Sequence, residues 1–344
     1  MKDKISIKDI AKITGTSITT VSFVINGKAK EKSISEEVIK RIQKTVADLG
    51  YKPNAFARGL RTGKSKTIGF LVDDISKPFF SRIATAVDQL ASSHGYKIIF
   101  SSIGGDAYRT KEILQIFHER QVDGYIIAIT AGIEEDIKSL LIGKTPVVFF
   151  DRYLPEIEGD YVITDNYHST SKATKHLLEN GFKNIGFITT NSEEMQLLDR
   201  LKGYTHAIDE AGQKTCTLRL NYSNTEDSTS QIKEFLKKNF FLDAVIFATN
   251  YLTMDGLQLL RTSDKTLLSN KGLISFDDFE LLKFLSPTIT AIEQPIDGIA
   301  ETIIKILIKK LRVAEKTDLK NNVIEIPAKL NIRESSLSRS KGLK

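Results

Sequence analysis

Short apolar runs alternate with stretches of helical periodicity along most of this 344-residue chain. The segments between the runs, such as Phe80 to Leu90 and Thr110 to Phe117, have apolar residues at helical spacing. Because parallel strands need a crossover connection, this alternation predicts an α/β fold whose parallel sheets are covered by helices on both faces. The runs predicted to form strands are 68–72, 97–102, 124–129, 146–151, 161–165, 184–189, 244–249 and 272–277.

The first 50 residues have a different pattern, with helical spacing and no strand-like run. Ser6 and Asp9 form the capping-box start of a first helix, and Thr16 or Ser17 caps a second one. A third helix is predicted within 35–50, where it braces the other two. Two short helices joined by a glycine-containing turn form a helix-turn-helix motif.

The charge of the chain is distributed unevenly. Residues 1–66 carry 15 Lys and Arg against 6 Asp and Glu, a net charge of +9, whereas the remaining residues carry a net charge of −3. A basic module attached to a near-neutral body is typical of proteins that bind nucleic acid. The apolar periodicity of the same segment argues against a solvated basic tail.

The second helix of such a motif lies in the major groove of DNA. Ile18, Thr19 and Phe23 are its outward positions, where Thr19 can hydrogen-bond a base and the apolar side chains can pack on thymine methyl groups. A helical hairpin used for protein contacts is the alternative, and the basic surroundings argue against it. The DNA contacts predicted in this module are Ser6, Ser17, Ile18, Thr19, Thr20, Ser22, Phe23 and Asn26.

The segment 51–65 connects this module to the body. Asn54 can cap a helix of about seven residues, Ala55 to Arg61, which is too short to be stable alone. We therefore expect this hinge helix to form when it packs against a second copy and DNA, with Leu60 as a wedge in the minor groove. A plain linker is the alternative. The DNA contacts predicted here are Tyr51, Asn54, Ala57 and Leu60.

The sequence lacks catalytic, metal-binding and targeting motifs, which favours a regulator over an enzyme. The segment 59–65 fails as a phosphate-binding loop because its glycines are one residue too close, and the five histidines have no metal-ligand spacing. Neither cofactor nor metal is expected. With one cysteine, no apolar run of about 18 residues and no secretory signal, the expected location is the cytoplasm rather than a membrane.

Ordered motifs along almost the whole chain resemble those of the LacI/GalR family of bacterial transcription regulators. They are IKDIAKITGTSITTVSFVING at 7–27, GYKPNAFARGLRTGKSKTIGFLVDDISKPFF at 50–80, FDR at 150–152, DRLKGY at 199–204, AVIFATN at 244–250, ISFDDFE at 274–280, LSPTITAIEQP at 285–295 and IRESS at 332–336. One departure is Phe23, where many members have arginine, so a bidentate guanine contact is lost and the operator is expected to differ.

The resemblance implies a helix-turn-helix domain (1–50), a hinge helix and linker (51–65) and a two-lobed core like that of periplasmic sugar-binding proteins. The first lobe is expected to comprise 66–163 and 292–324, and the second 164–291 and 325–340. Since ligands of open α/β sheets lie beyond the carboxyl ends of the strands, both lobes are expected to face one cleft.

Polar and aromatic residues at strand ends are predicted to line this cleft, because carboxylates and guanidinium groups pair with sugar hydroxyls and aromatic rings stack on sugar faces. The resemblance adds Arg200 and Gln294, and it places Tyr251 where many members have aspartate. Of the neighbours Asp277 and Asp278, one is expected to bind ligand and the other to cap the following helix. The predicted effector-binding residues are Asp73, Phe79, Phe80, Asp151, Arg152, Arg200, Asn250, Tyr251, Asp277 and Gln294.

Taken together, the motifs predict a homodimeric repressor whose affinity for operator DNA is switched by a sugar-like effector in the cleft. Three alternatives are a solute receptor without a DNA role, an enzyme on the same layered fold, and a regulator controlled by a protein corepressor. The missing signal peptide opposes the first, and the absence of catalytic motifs opposes the second.

Overall fold

The computed structural model describes residues 5–51, 63–104, 106–129, 132–143, 145–262, 264–312 and 322–337. The chain divides into two compact units, residues 1–65 and residues 66–344. The predicted hinge contacts Asn54, Ala57 and Leu60, and the helix expected around them, lie outside the described residues.

Three helices form the described part of the N-terminal unit: α1 (Ile7–Thr14), α2 (Ile18–Ile25) and α3 (Glu36–Asp48). Ser6 caps α1 in a complete capping box with Asp9, as predicted, and Gly15 ends the helix in the left-handed region at φ 61°. The helices pack around a small core in which Ile10, Val21 and Ile42 are fully buried. The helix-turn-helix arrangement predicted from the spacing is therefore present.

One apolar residue of α1 lies outside its buried face. Ile13 is at helical spacing from Ile10, but 61% of its surface is exposed. Thr14 occupies the inward position instead, and its hydroxyl donates to the carbonyl oxygen of Ile10 at 2.7 Å. In a helix of eight residues the inward stripe is narrow, so Ile10, Ala11 and Thr14 fill it and Ile13 lies on its flank.

The first lobe of the core contains a six-stranded parallel sheet with the order β11-β5-β4-β3-β1-β2. Its strands are fully or partly buried, since helices cover both faces. Its elements are β1 (Thr67–Val72), α4 (Pro78–Ser93), β2 (Lys97–Ser102), α5 (Ala107–Glu119), β3 (Gly124–Ala128), α6 (Glu134–Ile142), β4 (Val147–Phe150), β5 (Asp160–Thr164), α12 (Ile296–Arg312) and β11 (Asn322–Ile326).

The second lobe repeats this arrangement with the order β12-β10-β9-β8-β6-β7, except that the edge strand β12 is antiparallel. Its elements are α7 (Asn166–Glu179), β6 (Ile185–Thr190), α8 (Met195–Glu210), β7 (Cys216–Leu220), α9 (Thr225–Lys238), β8 (Ala244–Phe247), α10 (Asn250–Gln258), α11 (Thr266–Ser269), β9 (Gly272–Phe276), β10 (Thr290–Glu293) and β12 (Lys329–Asn331). Short 3₁₀ turns occupy Leu259–Arg261, Glu280–Lys283 and Glu334–Ser336.

Along the described residues the chain passes between the lobes three times, each time slightly later than predicted. The strand β5 extends to Thr164, so residue 164 belongs to the first lobe. The strand β10 pairs with β9 through residue 292 and extends to Glu293, so residues 292–293 belong to the second lobe. Likewise β11 pairs with β5 as far as Ile326, so residues 325–326 belong to the first lobe. Strand pairing continues to the end of each apolar run, and this moves the three boundaries by one or two residues.

All eight predicted strands are present, but four further strands were missed. Of these, β7, β11 and β12 are edge strands in which most residues are half-buried or exposed, and β10 has four residues. Edge strands bury less surface than central ones, so their sequences lack the continuous apolar run that marks the others. None of the described helices is both long and apolar enough to cross a membrane.

Candidate DNA-binding surface and effector cleft

The N-terminal end of α2 exposes two side chains that are not used by the fold. Ser17 caps the helix by accepting from the backbone N–H of Thr20 at 3.0 Å, and the two hydroxyl groups lie 2.9 Å apart. Ile18 and Thr19 follow this cap and are exposed. The capping interaction fixes the start of the helix, so these two residues are presented outward while Ser17 and Thr20 stabilise it.

The other described residues predicted to contact DNA have contacts within the unit. Asn26 donates through Nδ2 to the carbonyl oxygen of Ser22 at 2.7 Å, and the ammonium of Lys32 lies 5.6 Å from the centroid of the half-buried Phe23 ring. Tyr51 packs against the helical core. Ser6 belongs to the capping box of α1.

A cavity of about 840 Å³ lies between the two lobes at the carboxyl ends of both sheets. The residues of both lobes that contribute to its wall end or follow strands β1, β4, β6, β7, β8, β9 and β10 or lie in the helices after them. The structure brings all ten residues of the predicted effector set to this wall: Asp73, Phe79, Phe80, Asp151, Arg152, Arg200, Asn250, Tyr251, Asp277 and Gln294.

Two aspartates occupy equivalent positions in the two lobes. Asp151 directly follows β4 and Asp277 directly follows β9, the corresponding strand of the second sheet. Both residues have positive φ angles, 69° for Asp151 and 75° for Asp277. This left-handed conformation is costly for most residues but is tolerated by aspartate and asparagine. The reversal of the backbone lets each carboxylate contribute to the cavity wall.

Asp277 is held by donors from two directions. The side-chain amide of Gln294 donates to Oδ1 at 2.6 Å, and the backbone N–H of Asn250 donates to Oδ2 at 3.3 Å. Gln294 in turn accepts from the hydroxyl of Thr164 at 2.6 Å. Thr164 ends β5 of the first lobe, so this hydrogen-bonded chain connects both lobes at the wall of the cavity.

Arg200 is a buried cation with well-defined partners. Its Nε donates to Asn166 at 2.8 Å, one terminal nitrogen donates to the carbonyl oxygen of Ala248 at 2.7 Å, and the guanidinium lies 3.5 Å from the centroid of Phe276. Burial lowers the pKa of Arg200, while the charges of Asp277 and Asp151 oppose that shift. Arg200 therefore fixes three elements of the second lobe besides lining the cavity.

Ion pairs concentrate around Arg152. This side chain contacts Glu194 of the second lobe at 3.0 Å, and it lies 3.6 Å from both Asp73 and Asp151 of its own lobe. Lys77 also pairs with Asp73, at 2.8 Å. Burial raises the pKa of Asp151 to about 6 even though Arg152 acts to lower it. The Arg152–Glu194 pair thus joins the lobes across the cleft.

Sequence reasoning missed several residues of the cavity wall. Asn191 follows β6 as Asp73 follows β1, and Tyr222 lies two residues after β7. The strand-end rule, by which polar and aromatic residues just after a strand line the cleft, would have identified both if the strand bounds had been predicted correctly. The Tyr222 ring packs edge-on against Tyr251, with centroids 4.8 Å apart. Glu194, Gln196 and Asp255 lie in or before helices and had no comparable signal in the sequence.

The role expected for the second member of the Asp277–Asp278 pair is wrong. Asp278 does not cap the following 3₁₀ turn, whose N-cap is Phe279 without a side-chain hydrogen bond. Its carboxylate forms an ion pair with Arg333 and accepts from Asn331 at 2.7 Å. Asp278 therefore anchors the segment around β12 to the second sheet, a contact between residues more than 50 positions apart.

Two family models match the chain. Residues 6–54 match the model of bacterial regulatory proteins of the lacI family, and residues 65–334 match that of periplasmic binding proteins and the sugar binding domain of the LacI family. The ribose operon repressor of Haemophilus influenzae is 29% identical over 315 residues, covering 89% of this chain and 92% of that protein. The transcriptional repressor PurR of Photobacterium profundum is 30% identical over 338 residues, covering 96% and 98%.

A solved structure of the lac repressor dimer, bound to operator and the anti-inducer ONPF, has the same fold. It matches with a TM-score of 0.83 at 19% identity and covers 98% of this chain and 100% of that one. The predicted α/β core and helix-turn-helix module are therefore confirmed. The curated relatives are transcriptional regulators, which supports a regulator over an enzyme or a solute receptor. With both modules matched in order along its length, the chain belongs to the LacI family of bacterial regulatory proteins.

Proposed function

We propose that the protein is a sequence-specific repressor that binds operator DNA as a homodimer and responds to a sugar-like effector in the cleft. One observation carries this proposal. A single chain combines a basic helix-turn-helix unit, whose α2 exposes Ile18 and Thr19, with a two-lobed cavity lined by carboxylate, guanidinium, amide and aromatic groups. The first is suited to reading DNA and the second to binding hydroxyl groups.

The DNA side of the proposal rests on charge and on geometry. A net charge of +9 in residues 1–66 supplies the attraction to phosphates, which is independent of sequence. Thr19 and Ile18 are then the side chains best placed to read base edges, while Phe23 stands where many members have arginine. The predicted hinge contacts Asn54, Ala57 and Leu60 remain part of this proposal. Binding to DNA also implies that the protein acts in the cytoplasm.

Two copies are proposed to read a pseudo-palindromic operator. Dimeric helix-turn-helix proteins place their recognition helices in successive major grooves, so the two-fold symmetry of the protein is matched by that of the site. The lac repressor, which shares the fold, binds its operator as a dimer. This supports the same assembly here.

The effector side rests on the polar character of the cavity. Its volume of about 840 Å³ is within the range of small-molecule sites. Carboxylates at Asp151 and Asp277, a fixed guanidinium at Arg200 and rings at Phe80 and Tyr251 offer hydrogen bonds and stacking to a sugar. A wall of this kind favours a small molecule over a protein corepressor.

Effector binding is proposed to act by changing the closure of the lobes. The lobes are already joined by the Arg152–Glu194 ion pair and by the chain from Thr164 through Gln294 to Asp277. A ligand that replaces or strengthens these contacts changes the relative stability of open and closed states. A coupling free energy of about 1–3 kcal/mol is sufficient for a regulatory effect.

The DNA-reading role is tested with Thr19→Ala. Bound sequences are first selected from random duplex DNA, and affinity is then measured by fluorescence anisotropy for the selected site and for an unrelated duplex. Since Thr19 contacts a base rather than the backbone, we expect the variant to lose about 1–3 kcal/mol of binding free energy at the selected site and almost none at the unrelated duplex.

A matched control is Gln43→Ala, which removes an exposed side chain from α3 of the same unit. It should bind both duplexes as the native protein does. Equal losses by Thr19→Ala on both duplexes would contradict a base-reading role for Thr19. Failure of the native protein to select any sequence would contradict the proposed function itself.

A further inference from the structure

A loop of basic residues follows α2 in the N-terminal unit. It connects α2 to α3 and carries Lys28, Lys30 and Lys32, all of which are exposed. Two contacts anchor the loop: Ala29 is buried in the core of the unit, and the backbone N–H of Lys28 donates to the carbonyl oxygen of Phe23 at 2.9 Å. The loop is therefore folded onto the C-terminal part of α2 rather than projecting from it.

The loop brings Lys32 back to the side chain of Phe23. The backbone N–H of Lys32 donates to the carbonyl oxygen of Lys28 at 3.2 Å, and Ser33 has a left-handed φ of 52° where the chain turns toward α3. The Lys32 ammonium lies 5.6 Å from the centroid of the Phe23 ring, within the distance of a cation–π interaction. This contact limits the freedom of a flexible side chain, so less entropy is lost when the ammonium binds a partner.

The Phe23 ring is next to the surface proposed to read DNA. Phe23 follows Thr19 by four positions on α2, so the two side chains are neighbours on the helix surface. Thr19 is exposed and Phe23 is half-buried. Because Lys32 is held over this ring, it adds a cation to the face of α2 that carries Thr19.

Lys32 has donors to spare at this face. Within the described residues 5–51, an ion pair joins Arg41 to Glu37, and none involves Lys32. An ammonium donates up to three hydrogen bonds and accepts none. The Phe23 ring has no hydrogen-bonding group, so Lys32 supplies at this point of the surface a donor that the helix itself lacks.

A donor of this kind distinguishes among the bases of the major groove. Guanine presents two adjacent acceptors, N7 and O6. Adenine presents one acceptor beside an amino group, thymine one beside a methyl group, and cytosine an amino donor. A lysine ammonium therefore favours guanine.

We infer that Lys32 reads a guanine of the operator by donating to N7 and O6, and that the Phe23 ring positions it. This inference rests on the proposed function and adds a base contact to the one proposed for Thr19. A contact of Lys32 with a phosphate would also add affinity, but it would add no sequence preference. The two contacts are therefore distinguished by the sequence dependence of binding.

The experiment uses the full-length protein and two lysine variants of the same loop. Bound sequences are selected from random duplex DNA with the native protein, with Lys32→Met and with Lys30→Met. Affinity for the site selected by the native protein and for an unrelated duplex is then measured by fluorescence anisotropy. Each variant removes one charge from an exposed position, so the two should lose the same attraction to phosphates.

The loss of affinity by Lys32→Met at the selected site should exceed its loss at the unrelated duplex by about 10-fold or more, because a guanine contact is removed together with the charge. The sequences that this variant selects should lack the guanine preference at one position of each half-site. Lys30→Met should lose affinity equally at both duplexes and keep that preference.

A change in the DNA tests the same contact from the other side. Replacement of the preferred guanine in each half-site by 7-deazaguanine removes the N7 acceptor and leaves base pairing intact. The native protein should bind this DNA about threefold or more weakly than the unmodified site. Lys32→Met should bind both within about twofold of each other.

Phe23→Leu tests the positioning role of the ring, since leucine keeps an apolar side chain at the half-buried position but has no π face. Its loss of affinity at the selected site should exceed its loss at the unrelated duplex by about threefold. The double variant Phe23→Leu with Lys32→Met should bind within about twofold of Lys32→Met alone. Lys32→Arg keeps a cation that stacks on the ring and donates to guanine, so it should retain the guanine preference.

Equal losses by Lys32→Met at the two duplexes would indicate a phosphate contact and overturn the inference, as would a selected site without guanine or a guanine preference that persists in this variant. Additive losses in the double variant would overturn the positioning role of Phe23. If the native protein selects a sequence while these results go against Lys32, the DNA-binding regulator stands and only the role of Lys32 fails. Selection of no sequence by the native protein would contradict the proposed function as well.

Discussion

At the scale of single residues, the cleft depends on two aspartates in an unusual backbone conformation. Asp151 and Asp277 each follow a central strand with φ near +70°, at equivalent positions of the two sheets. Such a conformation persists only where the surrounding structure compensates for it, and it occurs often at functional sites. Here the compensation includes the donors on Asp277 and the guanidinium beside Asp151.

Asp151→Asn is expected to change the pH dependence of stability. Burial raises the pKa of Asp151 to about 6, above its unfolded value, so its carboxyl group adds stability at low pH and this contribution is lost as the pH rises through 6. Asparagine tolerates the positive φ and does not titrate. The difference in unfolding free energy between the variant and the native protein should therefore shift in favour of the variant by up to about 3 kcal/mol from pH 4 to pH 8. Urea denaturation at both pH values measures the difference.

The exposed substitution Asp209→Asn in the second lobe serves as a control and should show no comparable change between the two pH values. A constant difference between Asp151→Asn and the native protein across this range would contradict the raised pKa.

At the scale of secondary-structure elements, close helix packing in the second lobe depends on one glycine. The helices α7 and α8 approach so closely that a Cβ atom at Gly203 would lie 2.2 Å from the backbone carbonyl oxygen of Tyr167. Backbone atoms of a packed helix cannot move aside as a flexible side chain can. Gly203 thus allows α8 to carry Arg200, one turn earlier, into its buried position at the cleft.

Gly203→Ala should lower the free energy of unfolding by about 3 kcal/mol, because the added methyl group forces the two helices apart. Gly298→Ala on α12 is the matched control, since a Cβ atom there would meet Ile326 at an ordinary contact distance of 3.6 Å. Alanine is the better helix former, so this second variant should be up to about 1 kcal/mol more stable than the native protein. Chemical denaturation compares the two, and similar effects would contradict the packing argument.

At the scale of the whole molecule, DNA reading and ligand binding belong to separate compact units of one chain. The two activities should therefore be separable by substitution. We expect residues of the cleft to contribute to effector affinity and residues of α2 to contribute to operator affinity. The proposed link between the two activities is a change in lobe closure on effector binding.

Asp277→Asn is expected to separate these activities. Asparagine tolerates the left-handed backbone, and its amide oxygen can still accept from Gln294, so the fold should be retained. The loss of charge and of one acceptor should weaken the response to effector about 10-fold or more while operator affinity stays within about twofold. Titration of effector against the fluorescent operator complex measures both quantities. An unchanged effector response in a folded variant would remove Asp277 from the site.

Local patterns were sufficient to predict much of this molecule. Helix caps such as Ser6 with Asp9, the glycine at 15 and eight apolar runs are each encoded within a few residues, so they could be interpreted without knowledge of the fold. The strand-end rule and the family resemblance then identified ten side chains that the structure places around one cavity. Short edge strands were missed because they bury too little apolar surface to leave a pattern.

The sequence by itself therefore determined the order of modules, the helix-turn-helix motif and the alternation of strands and helices, since these depend on contacts between near neighbours along the chain. Tertiary structure decided how each polar residue of the site is used. Asp278 is paired with Arg333 rather than capping a turn, and Arg200 is fixed by Asn166 and Ala248. Those roles depend on groups tens of positions apart, which only the packed lobes bring within hydrogen-bonding distance.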